Sequence, residues 1–138
     1  MNMIDLLLIE VKYPENVGLI YRLAYQFNIR SIYTFRCAKS GKTNTYRTEK
    51  HMPIYEKDSL DFLKSYPFPK YLLETNGEKI SKVIAPSFLL AVANESFGTS
   101  AEQQAYFDNI FSLDAPTQKS YNVSHALAIG LYILTYDN

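Results

Sequence analysis

IDLLLIEVKYPENVGLIYRLAYQFN, residues 4 to 28, changes its hydrophobic period once, and that change decides the fold. Ile4 to Val11 is a short apolar run that ends at the turn-forming pair Tyr13-Pro14, which is the signature of a buried strand. From Asn16 the period becomes helical. Val17, Ile20, Tyr21, Ala24 and Phe27 recur at the spacing of one helix face, with Asn16 placed to cap the start and Asn28 to close the end. Ile32 to Phe35 then reads as a second strand. A strand, a helix and a strand in succession form a βαβ unit, and such units build parallel sheets.

The rest of the chain continues the alternation. Residues 36–50 form a polar loop carrying Arg36, Lys39, Lys42, Arg47 and Lys50 against the single acid Glu49. Asp58 can cap a short helix running to about Tyr66, and Tyr71 to Thr75 reads as a strand stopped by Asn76-Gly77. Phe88 to Ala93 is an apolar strand that runs straight into Asn94-Glu95-Ser96-Phe97-Gly98. Ser100 and Gln103 make a capping box for another helix, Ile110 to Leu113 is a short strand, and Val123, Ala126, Leu127, Gly130, Leu131 and Leu134 mark a final helix. The pattern predicts one α/β domain spanning 1–138, with a mostly parallel sheet and helices on both faces. Ligands of such sheets sit beyond the carboxyl ends of the strands.

Composition narrows the function classes. Of 138 residues 47% are apolar and 20% charged, as in soluble globular domains. Lys and Arg balance Asp and Glu at 14 each, so the domain does not hold nucleic acid by bulk charge alone; a local basic patch is needed. Cys37 is the single cysteine, which excludes intrachain disulfides and fits a reducing, cytoplasmic setting. His51 and His125 lack acidic or thiol companions at ligand spacing, so no metal is expected. No apolar stretch approaches the length of a membrane span, and no targeting segment is apparent at the start.

Three strand-to-helix loops carry polar groups that a merely structural loop does not need. The first is Pro14-Glu15-Asn16-Val17-Gly18, with Arg22 following on the same helix, close enough for both Asn16 and Arg22 to be presented toward the strand ends. The second is residues 94–98, and the third is Ser120-Tyr121-Asn122-Val123-Ser124 at the start of the last helix. Taken singly each has a plain structural reading: Asn16 and Asn122 or Ser120 as caps, Arg22 and Glu95 as solvated side chains. Together and in this order they resemble the three motifs of the SpoU/TrmH family of the SPOUT superfamily. Asn16-Val17-Gly18 with Arg22 and Ala24 corresponds to the first motif, Asn94-Glu95 with Gly98 to the second, and residues 120–124 to the third. Ala93 and Ser96 depart from glycines of the second motif, and Leu113-Asp114-Ala115-Pro116 departs from the usual approach to the third.

The resemblance implies a fold, a reaction and a set of residues. The fold would be a single SPOUT domain without an RNA-binding extension, its C-terminal part tied as a deep trefoil knot, and the protein a homodimer through its first and last helices. The reaction would be methylation of an RNA ribose 2′-hydroxyl, in tRNA or rRNA, from S-adenosylmethionine. Arg22 would anchor phosphate and stabilise the developing alkoxide, since a guanidinium is in practice never neutral. Asn16, Asn122 and Ser120 would fix the ribose and the loops, and Glu95 would orient Arg22 or the pocket backbone. Leu73, Ala93, Asn94, Gly98, Leu113, Ser120 and Tyr121 would surround the cofactor. The basic loop, with Arg36, Lys39, Lys42, Arg47 and Lys50, would contact RNA, with Tyr46 available for stacking. Two other readings stay open: a member of this scaffold that binds cofactor or RNA without methyl transfer, and a doubly wound small-ligand domain. The latter is opposed by the lack of a glycine-rich phosphate motif after the first strand.

Overall fold

Strand β1 (Ile4–Ile9) is buried at every position and lies in the middle of a six-stranded sheet of order β3-β2-β1-β5-β4-β6. This computed structural model describes residues 3–82, 85–117 and 121–136. The other strands are β2 (Ser31–Phe35), β3 (Ile54–Lys57), β4 (Lys70–Lys79), β5 (Phe88–Ala93) and β6 (Asn109–Ser112). Every pairing among them is parallel. That geometry explains why β1 and β5 read as unbroken apolar runs: a parallel strand in mid-sheet is covered on both faces.

The helices are α1 (Pro14–Gln26), the short α2 (Ala101–Gln104) and α3 (Val123–Thr135). Helices α1 and α3 share one face of the sheet, where Ile20, Ala24, Leu127 and Leu131 meet Leu6, Leu8 and Leu90. The opposite face buries Leu7, Ile9, Leu72, Leu89 and Ala91 beneath Leu60 and Leu63, with Tyr106 and Phe107 packed at its edge. The expected helices on both faces are therefore corrected in part. Among the described residues, a 3₁₀ turn (Asp61–Ser65) and the segment around the four-residue α2 cover this second face in place of a long helix.

Three local expectations change. Asn16 does not cap α1: Pro14 opens the helix behind Tyr13, since its fixed φ suits the first helical position and its missing N–H is not needed there. The Asn16 side chain is released for other contacts. Asp58 does not cap a helix either, and the predicted segment is the 3₁₀ turn, without a side-chain cap. Asn76-Gly77 does not stop β4. The strand continues to Lys79 through a register shift between Leu73 and Glu78, and a Cβ on Gly77 would lie 2.5 Å from the Ile110 carbonyl oxygen. Glycine here admits a neighbouring backbone, the use it has at strand irregularities.

Other signals hold. Asn28 closes α1 with φ 54°, where its N–H bonds to Tyr25 and that of Ile29 to Ala24, a Schellman arrangement. Ser100 and Gln103 form the predicted capping box, and Asn122 caps α3 by accepting from the Ser124 N–H. No described helix is long and apolar enough to cross a membrane.

Candidate functional site

Because all strands run the same way, their carboxyl ends share one edge, and the loops leaving β1, β5 and β6 meet there with the start of α3. Glu95, just past β5, is the hub. Its carboxylate accepts the N–H groups of Lys12 (3.2 Å) and Tyr13 (3.3 Å) and the Asn16 amide (3.0 Å). Asn16 Oδ1 in turn accepts the Asn122 amide at 3.3 Å, and Asn122 Oδ1 accepts both the N–H and the hydroxyl of Ser124. Residues 79 and 106 positions apart are thus joined in one chain of hydrogen bonds. Burial pushes the Glu95 carboxyl up, but the bonds from Asn16, its own N–H, Lys12 and Tyr13 outweigh this and hold it below the usual range. It stays a carboxylate with no cation beside it among these partners.

The loop after β5 is braced from two sides. Asn94 donates to the Glu10 carbonyl at 2.8 Å and accepts the N–H groups of Ser96 and Phe97. Gly98 has φ +65° and closes an isolated bridge back to Asn94. The torsion favours glycine, and a Cβ there would also push aside the Glu74 carboxylate, whose Oε2 would lie 2.5 Å away. Glu74 itself accepts the N–H and hydroxyl of Thr99 at 2.8 and 2.7 Å. On the far side of the loop, Gln103 donates to Glu10 at 3.0 Å, and Glu10 has φ 55° directly after β1.

These loops enclose a cleft of about 1260 Å³. Its apolar floor includes Leu73, Val92, Phe111 and Val123, and its rim carries Asn16, Asn94, Glu95, Asn122 and the exposed rings of Tyr13 and Phe97. Of the expected site residues, Asn16, Glu95, Asn122, Leu73, Ala93, Asn94, Gly98, Leu113 and Tyr121 all line it. Ser120 lies outside the described residues. Arg22 does not reach it. Six residues along a helix are one and two-thirds turns, so Arg22 leaves α1 on another side from Asn16, exposed, with its guanidinium 5.2 Å from the Tyr46 ring centroid. The expectation that α1 presents both toward the strand ends is corrected accordingly.

The basic loop is also more ordered than a solvated one. Gly41 donates to the Pro14 carbonyl, Thr43 to that of Glu15 and Thr48 to that of Tyr21, which lays the loop along α1. A Cβ on Gly18 would stand 2.1 Å from Thr43 Oγ1, so the glycine of the first motif is what lets the loop seat. Its cations disperse: Lys39 pairs with Glu56 at 2.9 Å, Arg36 lies over the Phe35 ring, and Lys42, Arg47 and Lys50 are exposed. Glu10 and Glu74 were not singled out in the sequence. Each is a lone acid at the end of an apolar strand, a signal that marks a loop brace only once the partner loop is known.

A sequence model of the SpoU rRNA Methylase family matches residues 3–132. The chain belongs to that family. Solved structures agree with the assignment at the level of fold. A TrmH-family protein from Porphyromonas gingivalis superposes with a TM-score of 0.82 at 24% identity over 97% of this chain and 59% of its own. AviRb from Streptomyces viridochromogenes, a SpoU methyltransferase in complex with AdoMet, gives 0.81 at 20% identity, covering 95% of this chain and 56% of its own. A protein solved in work on 2-OH methylation of C/U34 on tRNA gives 0.79 at 21%, covering 95% of this chain and 93% of its own. This SpoU-family chain therefore spans less than two thirds of the first two and nearly the whole of the third. A search of curated protein sequences finds no match. Among the described residues of this SpoU-family protein, no group of three or more His, Cys, Asp or Glu side chains is placed to hold a metal ion.

Proposed function

We propose that the cleft binds S-adenosylmethionine and that the protein methylates a ribose 2′-hydroxyl of RNA, tRNA or rRNA. The observation that carries this reading is the convergence of Asn16, Glu95 and Asn122, from three separated loops, on the rim of one cleft with an apolar floor. The cleft, at about 1260 Å³, has room for a small organic cofactor with part of a substrate beside it, and its mixture of apolar wall and polar groups is that of a ligand site. Leu73, Val92 and Phe111 offer an aromatic base an apolar bed, and backbone at 93–98 and 113–116 offers polar contacts at its rim. AviRb, on the same fold, holds AdoMet.

Bound there, S-adenosylmethionine supplies a methyl group on a positively charged sulfur, open to in-line attack by an oxygen. The chain's own groups do the positioning. Glu95 locks the Asn16 amide and, through the N–H groups of Lys12 and Tyr13, the loop that leads into α1. Asn16 in turn orients Asn122, whose amide would meet a ribose oxygen with its other hydrogen. Alignment of this kind accounts for a large part of the barrier reduction when no covalent intermediate is formed, up to about 7–11 kcal/mol. A cation near the attacking hydroxyl stabilises the developing alkoxide as its proton passes to solvent and the methyl–sulfur bond breaks. Arg22 is the residue we assign to that task, acting in the cleft of a second copy.

That assignment requires a homodimer. The outward side of α3 supports one: Tyr132 and Tyr136 are 55% and 53% exposed and follow the half-buried Ile129 and Ile133 at helical spacing, an apolar strip that water disfavours. We further infer that the C-terminal part is threaded as the trefoil knot of its family. The support is that β5 lies inside β4, β6 lies outside it, and α3 then returns across the sheet to α1. Refolding from denaturant far slower than about a second would agree with a knot, and refolding within the range of ordinary α/β domains would contradict it.

Methyl incorporation from labelled S-adenosylmethionine into bulk RNA, wild type beside Arg22→Ala, tests the function. Label recovered as 2′-O-methylnucleotide with the wild type alone is the expected result. Cofactor binding without label from a stable dimer would favour a scaffold that has lost catalysis, a reading motivated by the distance of Arg22 from the cleft of its own chain.

A further inference from the structure

We propose that Tyr25, Tyr46 and His51 form a platform on which an unpaired base of the RNA substrate stacks, flanked by Arg22, Arg47 and Lys50. The proposal rests on the RNA-methylation reading above and adds the kind of RNA, single-stranded at the contact point. Tyr25 is the centre of the cluster. Its ring centroid lies 5.1 Å from that of Tyr46 and 4.4 Å from that of His51, and Arg22 stands 5.2 Å from the Tyr46 centroid. A core would hide such a cluster. Here Tyr25 and Tyr46 are 41% and 36% exposed and His51 is exposed too.

Three observations favour RNA as the occupant. The first is charge: the Arg22 guanidinium lies 5.2 Å from the Tyr46 ring centroid, and the exposed Arg47 and Lys50 adjoin Tyr46 and His51 in the chain, three cations against Glu49, the one acid of the loop. Phosphates flanking a stacked base meet cations on that side. The second is chemistry. The cluster joins two tyrosine rings and an imidazole at the surface, and exposed rings of this kind stack nucleic-acid bases. The third is rigidity. The bonds of Gly41, Thr43 and Thr48 to α1, and the close approach that Gly18 permits, hold the loop bearing Tyr46 and His51 against the helix bearing Tyr25. A preorganised platform binds without first losing loop entropy.

The platform also sorts the basic residues. Lys39 is paired with Glu56, and Arg36 lies over Phe35, against the second face of the sheet. Arg47 and Lys50 sit directly beside Tyr46 and His51 in the chain.

The test is binding of a short single-stranded RNA, and of the same strand paired with its complement, to the full chain by fluorescence anisotropy. Tyr25→Ala and Tyr46→Ala should each weaken single-strand binding about tenfold and the double variant more, while Tyr55→Ala, an exposed tyrosine on β3, changes nothing. Circular dichroism and calorimetric binding of S-adenosylmethionine verify that the variants remain folded with an intact cleft. The wild type should prefer the single strand. Equal affinity for the duplex, no measurable binding of either RNA, or unchanged binding by the folded double variant would overturn the platform. So would a variant that alters the sedimentation coefficient in place of RNA affinity, since the patch would then belong to a protein interface. Methyl transfer persisting with any of these results would leave the proposed reaction standing and the platform refuted.

Discussion

The two ends of the sheet each hold a hydrogen-bonded carboxylate, and they are built to opposite purposes. At the amino end, Asp5 is fully buried within the apolar run of β1. Arg30 donates to it twice, at 3.0 and 2.5 Å, and the hydroxyls of Ser31 and Tyr66 complete its shell at 2.6 and 2.5 Å. At the carboxyl end, Glu95 is half-buried, and its partners are two backbone N–H groups and an amide, with no cation. In both, burial raises the carboxyl pKa and hydrogen bonds lower it by more. The Asp5 cluster is neutralised, closed and has no space for a ligand. Among the described residues, the Glu95 cluster leaves a carboxylate without a cation at the mouth of a cleft. A satisfied network fixes a fold, whereas one left short of a partner has capacity for a substrate.

The largest effect expected from breaking this contrast is on stability at the amino end. Asp5→Ala strands Arg30, Ser31 and Tyr66 together and should destabilise the domain by about 3 kcal/mol, measured by urea unfolding. The same substitution should not weaken cofactor binding at temperatures where the variant is folded. At the carboxyl end the balance reverses. Glu95→Gln should cost under about 1 kcal/mol of stability but lower methyl transfer about 10²-fold, because the loop that positions Asn16 loses its anchor. Equal losses of stability in the two variants would remove the distinction between them.

Smaller effects sharpen it. Gly98→Ala forces a Cβ into a left-handed torsion and toward Glu74, with an expected loss of about 1–2 kcal/mol and weaker cofactor binding, read by thermal unfolding and calorimetry. Acid should expose the amino end through linkage. A carboxylate whose folded pKa lies below its unfolded one contributes stability that is present above the unfolded value and lost as pH falls through the folded value. Wild-type stability should therefore decline below about pH 4, and Asp5→Asn should show a shallower decline over the same window.

Much of this was legible in the residues. The change of period after Pro14, the runs at β1 and β5, the Asn28 closure and the Ser100–Gln103 box each rest on local physics, and each is found in the structure. What escaped depends on distant partners. β3 is a short edge strand, half-exposed, with no apolar alternation to betray it. The extension of β4 past Asn76-Gly77 depends on β6 arriving beside Gly77. Asn16 carries both a cap signal and a site signal, and only the pairing with Glu95 separates them. The side on which Arg22 leaves α1 follows from helical geometry alone, whereas the site proposed for it needs a second chain.

Titration of S-adenosylmethionine into the wild type and Glu95→Gln by isothermal calorimetry, with unfolding curves on the same samples, tests the central claim most directly. Saturable binding by the wild type, weakened in Glu95→Gln while both unfold at nearly the same midpoint, is the predicted result. A folded wild type that takes up no cofactor, or a Glu95→Gln variant that binds it as tightly, would contradict the claim that the Glu95 network shapes a methyl-donor site.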